Sequence, residues 1–282
     1  MAEHFAEDEG VAGSSPALST VTLTRRRIWC IVFVMKRIAV LQPFYLPWLG
    51  VFNQIALSDV FIFGDSFQYS KNSWINRNRI KNPNGGFTWL TVPVKNEHLT
   101  SKKISEVEID YSHDWVKKHL SSIKNVYGKS QYFNDYYPDL ERILLSKPKF
   151  LFELNMLLFK YLLKILSITT KLKFRSDYKN LSKEKSQSLL EICQEENTSV
   201  YLTGPRAQDY LRMDIFKDNK IEVEYQNYSY PSYQQKGDDY VDKLSVIDAI
   251  FMLGAQKTRS LIIDCQKTNA VEQYQTLSYQ NE

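Results

Sequence analysis

Cysteine is scarce in this 282-residue chain, which has only Cys30, Cys193 and Cys265. None belongs to a CxxC pair or has a histidine at ligand spacing, so neither a disulfide framework nor a metal site is expected. Reduced thiols, and with them a cytoplasmic location, are the expectation. Basic runs long enough to suggest nucleic acid are also missing. The 36 Lys and Arg against 32 Asp and Glu leave a net charge of +4 spread thinly along the chain, which argues against a nucleic-acid partner. The apolar piece Ile28–Val34 falls far short of the about 20 residues a membrane helix needs, and a secretory signal would need a longer one followed by a cleavage site. Pro148–Leu166 is the most apolar stretch, yet Glu153, Lys160 and Lys164 fall on one narrow stripe at helical spacing. That is an amphipathic core helix, with no transmembrane segment implied, and Asn155, off the stripe, reads as a satisfied buried amide in preference to a ligand contact. No GxSxG, P-loop or GxGxxG is present, nor any repeat of fixed period.

What is present is an alternation of strand-like and helix-like segments, which argues an α/β fold. Ile38–Leu41 reads as a buried strand stopped by Gln42-Pro43, Leu46–Ala56 as a helix, and Asp59–Phe63 as a strand ending at Gly64-Asp65. Further strands are expected at Thr88–Val92, Ser105–Ile109, Ser199–Leu202 and Ile221–Tyr225. Helices are expected from Tyr111–Asp114 to Tyr127, between Pro138 and Pro148, from a Ser182 cap to Glu195, up to Met213, and from Ser245 to Leu253 with Gly254 at the end. Ser245 and Asp248 have capping-box spacing.

Residues 1–34 look foreign to the rest. Their first half is acidic and rich in small residues, GVAGSSPAL is what a transfer-RNA T-arm gives when read as codons, and Met35-Lys36 stands just before the first strand. The expectation is a disordered or non-native extension over 1–34, one α/β domain over 35–264, and a disordered tail over 265–282. Without residues 1–34 the charge becomes +5, from 33 basic and 28 acidic residues.

Polar residues just past apolar runs mark the candidate site, because ligands of open α/β sheets bind beyond the carboxyl ends of strands. Gln42 can donate and accept at once, or simply stabilise a turn. Asp65 is placed for a ribose contact or a general base, with capping as the competitor. In an extended Asn76-Arg77-Asn78-Arg79, the two amides share one face and the two arginines the other. Arg77 would offer a planar fork to phosphate or carboxylate, in a cleft shared with Gln42 and Asp65. Tyr69 could stack a sugar or belong to the core. His119 could be a base or a satisfied structural partner.

Seven ordered blocks carry a resemblance: QPFYLPWLGVF, DVFIFGD, QYSKNSWINRNRIK, WLTVPV, VYLTGPRAQDYL, YPSYQQ and LSVIDAIFMLG. Together they run from about Arg37 to about Gly254 and resemble the WbqC-like protein family. That family is similar to bacterial proteins of O-antigen and surface-polysaccharide gene clusters, and the activity proposed for it is glycine transfer to a sugar. The resemblance implies a nucleotide-linked or lipid-linked amino sugar and an acyl donor as partners, with no cofactor specified. The candidate residues are Gln42, Tyr45, Tyr69, Asn76, Arg77 and Asn78 for substrate contacts, the resemblance adding weight to Asn76 and Arg77, and Asp65 and His119 for catalysis. A non-catalytic sugar-nucleotide-binding or scaffolding role is the alternative. The N-terminal part further resembles the nucleotidylyltransferase branch of Rossmann-like folds, with a helical middle and a second small α/β part after it. Those enzymes carry HxGH where this chain has Tyr45-Leu46-Pro47-Trp48, so adenylyl transfer by that route is not expected.

Overall fold

Apolar strand residues alternate between two packed faces, and that alternation builds the molecule. The computed structural model describes residues 35–96 and 99–264. These belong to the second of the two units, 1–34 and 35–282, into which the chain divides. The expectations for 1–34 and 265–282 lie outside the described residues.

The elements in order are β1 (Arg37–Leu41), α1 (Leu49–Ala56), β2 (Val60–Phe63), β3 (Arg77–Lys81), β4 (Phe87–Thr91), α2 (Trp115–Tyr127), α3 (Phe133–Leu145), α4 (Leu151–Ile165), β5 (Lys171–Phe174), α5 (Lys185–Glu195), β6 (Val200–Thr203), α6 (Met213–Asp218), β7 (Glu222–Tyr225) and α7 (Val246–Ile263). The main sheet runs β5-β2-β1-β6-β7 with every neighbouring pair parallel, and β3 and β4 form a separate antiparallel hairpin. The fold is α/β. Counting only the strands of the main sheet, the order is 3-2-1-4-5, shared with the first five strands of doubly wound dinucleotide-binding sheets. A shared order is a likeness of layout and carries no activity.

Ala39, Phe61, Phe63 and Leu202 face a large core with α1, α2, α3, α4 and α7. Ile38, Val40, Val60, Ile62 and Tyr201 face a smaller one with α5 and α6. Sheets covered on both faces give near-continuous apolar strands, as VFIF at β2 does. No helix among the described residues is long and apolar enough to cross a membrane.

Several expected boundaries move. Ser105–Ile109 is no strand: a 3-10 turn at Ile104–Glu106 interrupts it, closed by the Glu106 carboxylate on the Lys103 N–H at 3.0 Å, and only single bridges follow. Helix α3 starts ahead of Pro138 because Phe133 and Tyr137 stack at 4.4 Å and anchor its first turns. Ser182 does not cap α5; the Glu184 carboxylate does, accepting from the N–H groups of Ser186 and Gln187. Helix α7 passes through Gly254 at a kink where φ is +79°, a conformation glycine adopts without steric cost. Its start is no capping box either. Ser245 Oγ is buried without a partner among the described residues, and the Asp248 carboxylate accepts from Tyr127 at 2.6 Å and Tyr233 at 2.8 Å.

Candidate functional site

The crossovers from β1 and β6 leave on opposite faces of the sheet, so their carboxyl ends diverge and open a crevice. Beside Gln42 lies a cavity of about 530 Å³, walled by Phe67, Tyr201 and Tyr210 and carrying Arg175, Lys183 and Lys185. Among the described residues, three cations and no carboxylate line it. Among the described residues the Gln42 side-chain amide makes no hydrogen bond, so it is available to read a ligand.

Each group is held by a local device. The turn after β1 is fixed by two buried amides: Asn78 donates to the carbonyls of Tyr45 (3.1 Å) and Leu46 (2.7 Å), and Asn155 to those of Pro43 (2.9 Å) and Ile75 (2.8 Å). Arg175 opens a 3-10 turn just past β5, where the Asp177 carboxylate accepts from the Phe174 N–H. Asp65, past the neighbouring β2, accepts from the Ser176 N–H at 3.0 Å and so tethers that turn. Lys183 and Lys185 flank Glu184 at the start of α5. Because Glu184 takes the first-turn N–H groups, the positive field of this cavity comes from the cations and not from the helix end. Burial pulls both the Arg175 guanidinium and the Lys185 ammonium below their ordinary values, with Asp65 and Glu191 opposing the shift at Arg175. Lys185 Nζ lies 3.2 Å from the Tyr210 ring centroid, a cation–π contact that fixes it over the cavity wall.

The residues expected from sequence scatter over three places. Gln42 lines the cavity and Asp65 stands behind it. Tyr45 is fully buried on the opposite face of the sheet, its hydroxyl 3.0 Å from His119 Nδ1. Burial lowers His119 to about 4, against a bond with the Thr91 backbone that raises it, so the ring is neutral at physiological pH. Tyr69 is buried and pushed up to about 12 by that burial. The hairpin alternates as expected, with Asn76 and Asn78 inward, but their amides serve the backbone, Asn76 donating to Val92 O at 2.9 Å. Arg77 does not share the Gln42 cavity. It donates to Asn72 O at 2.5 Å and lies 4.5 Å over the Trp89 ring, because the outward face of β3 meets the outward face of β4. Arg175, Lys183, Lys185 and Tyr210 supply the charge and wall that Arg77 was expected to bring. The available signal was the alternation in KLKF, with Leu172 and Phe174 apolar between lysines, which makes β5 a strand and puts Arg175 at its carboxyl end.

The chain belongs to the WbqC-like protein family. The family model matches residues 42–260, beginning at the cavity glutamine. A relative, "Uncharacterized protein Rv1507c" of Mycobacterium tuberculosis, is 34% identical over 224 residues, 79% of this chain and 96% of the relative. No solved structure matches.

Proposed function

We propose that the protein binds a phosphate-bearing amino sugar, nucleotide-linked or lipid-linked, in the strand-end crevice, and acts in the cytoplasm on surface-polysaccharide precursors. The observation that carries this is the cavity itself, in which one free amide and three cations surround a space of about 530 Å³ lined by no carboxylate. A phosphate loses little there, since cations replace its water, and a sugar hydroxyl or base edge can pair with Gln42.

Family membership supports the second half of the reading, transfer of glycine or another small acyl group to the sugar amine. The amine attacks the acyl carbonyl, the donor's leaving group departs, and the amine proton must go to a base. Asp65 is our candidate for that base, as the carboxylate tethered to the Arg175 turn. A non-catalytic sugar-nucleotide-binding role is favoured by one observation, that among the described residues no histidine, cysteine or carboxylate lines the cavity.

The test is to incubate the purified full chain with nucleotide-linked and lipid-linked amino sugars and glycyl donors and to follow mass. A mass increase that Asp65→Asn abolishes while binding persists supports the transferase. Binding with no product from any donor, together with full in vivo complementation by Asp65→Asn, supports the binding protein. Absence of binding by nucleotide-linked and lipid-linked amino sugars alike refutes both.

A further inference from the structure

Arg175 borders two cavities. One is the Gln42 cavity; the other, of about 310 Å³, shares Arg175 with it and is otherwise lined by Ser66, Lys103, Ser176, Tyr178 and Leu181. Three observations define what this side chain offers. Its Nη1 donates to Ser66 Oγ at 2.9 Å, and its carbon lies 5.0 Å over the Phe67 ring, so the plane is fixed. Its Nε–H is buried without a partner. Among the described residues it forms no ion pair, although Asp65 and Glu191 lie near enough for their charges to act on it. The edge away from Nη1, made of Nε–H and Nη2–H, is therefore a fork with no protein acceptor. That geometry matches two oxygens of a phosphate, and an orphaned buried donor is costly until something fills it.

We propose that Arg175 is the diphosphate clamp and divides the site into two compartments, which deepens the reading of the crevice given above and rests on it. The ligand is a nucleoside-diphosphate sugar. Its diphosphate lies across the Nε/Nη2 edge, its base lies among Phe67, Tyr201 and Tyr210 beside Gln42, and its sugar enters the smaller cavity. The hydroxyls of Ser66 and Ser176 and the ammonium of Lys103 suit a sugar and a second negative charge, while aromatic walls suit a base. This orientation points the sugar toward Asp65, which holds the Ser176 N–H at the edge of that compartment. Where the sugar carries the accepting amine, the candidate base and the amine then meet on one side of the clamp.

The experiment is calorimetric titration of the full chain with ribonucleoside diphosphates, their monophosphates, and a nucleoside-diphosphate-linked hexosamine. The wild type should bind a diphosphate at least about tenfold tighter than the matching monophosphate, the scale of one charged hydrogen bond. Arg175→Lys should close that gap, since ammonium has no fork. Ser176→Phe, which keeps the backbone N–H on Asp65 but fills the smaller cavity, should weaken the sugar-bearing ligand at least tenfold. It should leave the bare diphosphate within about twofold. A gap that survives Arg175→Lys, or equal losses for both ligands in Ser176→Phe, overturns the clamp and leaves the crevice reading standing. No diphosphate binding by the wild type, bare or sugar-linked, overturns the clamp and leaves the crevice reading with a lipid-linked ligand only. Should Arg175→Lys fail to fold, phenylglyoxal labelling of the wild type decides: a bound diphosphate should protect Arg175, and equal labelling with and without it overturns the proposal.

Discussion

Replacing Glu196 with glutamine should destabilise the protein in a way that fades as the pH falls. Glu196 directly follows α5 and is 5% exposed. Its carboxylate accepts from Lys36 Nζ at 3.0 Å, from the Tyr178 hydroxyl at 2.7 Å, and from Lys173 Nζ. Burial alone would raise its pKa, but the bonds from Lys173, Tyr178 and Lys36 outweigh burial and hold it at about 2, against an ordinary value of 4.5. That difference corresponds to about 3 kcal/mol. The lysine side chains are 36% and 31% exposed, so solvent screening trims it to about 1.5–3 kcal/mol.

The sign follows from linkage. A carboxyl depressed in the folded state contributes its stability above its unfolded value, 4.5, and loses it as pH falls toward about 2. Glu196→Gln should therefore cost about 1.5–3 kcal/mol at pH 7 and less than about half of that at pH 3. Urea unfolding of both proteins across pH 7 to 3, with unchanged m-values, is the assay. A constant gap, or none at pH 7, would refute the reasoning. The consequence for the site is direct. Lys36 precedes β1, which leads into Gln42; Lys173 belongs to β5, which leads into Arg175; and α5 begins with Lys185. One carboxylate ties together the three elements that present the cavity's polar groups, so the glutamine variant should also bind ligand more weakly.

Asp248 should behave in the opposite sense. Burial raises its pKa, against the Tyr127 and Tyr233 bonds and the Lys81 charge, so wild-type stability declines as pH rises above the ordinary carboxyl range. Asp248→Asn, which leaves one tyrosine hydroxyl without an acceptor, should cost about 1–3 kcal/mol by urea unfolding. That loss should be largest at low pH and should narrow as pH rises; a gap that widens with pH is the contrary result. Asn78→Ala strips two buried carbonyls of their donor and should cost about 2–4 kcal/mol. Because the turn it holds follows Gln42, ligand binding should weaken beyond what the fraction unfolded explains, and calorimetry on the folded variant measures that.

Much of the frame was legible because it depends on local periodicity. Short apolar runs stopped by Gln42-Pro43 and Gly64-Asp65 gave the central strands, and period-two alternation put Asn76 and Asn78 on the inward face of the hairpin. The cavity was not legible in the same way. Its charges come from residues 175 to 185, which lie next to Gln42 only because β5 joins the sheet on the far side of β2, and no window of sequence contains that pairing. Side-chain roles were less legible than strands. Asn155 reads correctly as a satisfied buried amide, but for Asn78 sequence could not tell an amide aimed at a ligand from one satisfying a carbonyl. Ser245 and Asp248 have the spacing of a helix cap, but the tyrosines that claim Asp248 come from elsewhere in the chain.

Those buried amides explain why Gln42 is well placed. Leu46 holds φ at +42°, close to the left-handed region that costs a residue with a Cβ about 1–2 kcal/mol. Such strain persists only where the surroundings over-determine it. Here the carbonyls of Pro43, Tyr45 and Leu46 each accept from a side-chain amide of another element, Asn155 on α4 or Asn78 on β3. The backbone just past β1 is therefore pinned from two sides, whereas the Gln42 side chain in front of it is bonded to none of the described residues. A fixed backbone presenting an unspent amide beside a fixed guanidinium can discriminate ligands by hydrogen-bond geometry, because neither group must be ordered on binding.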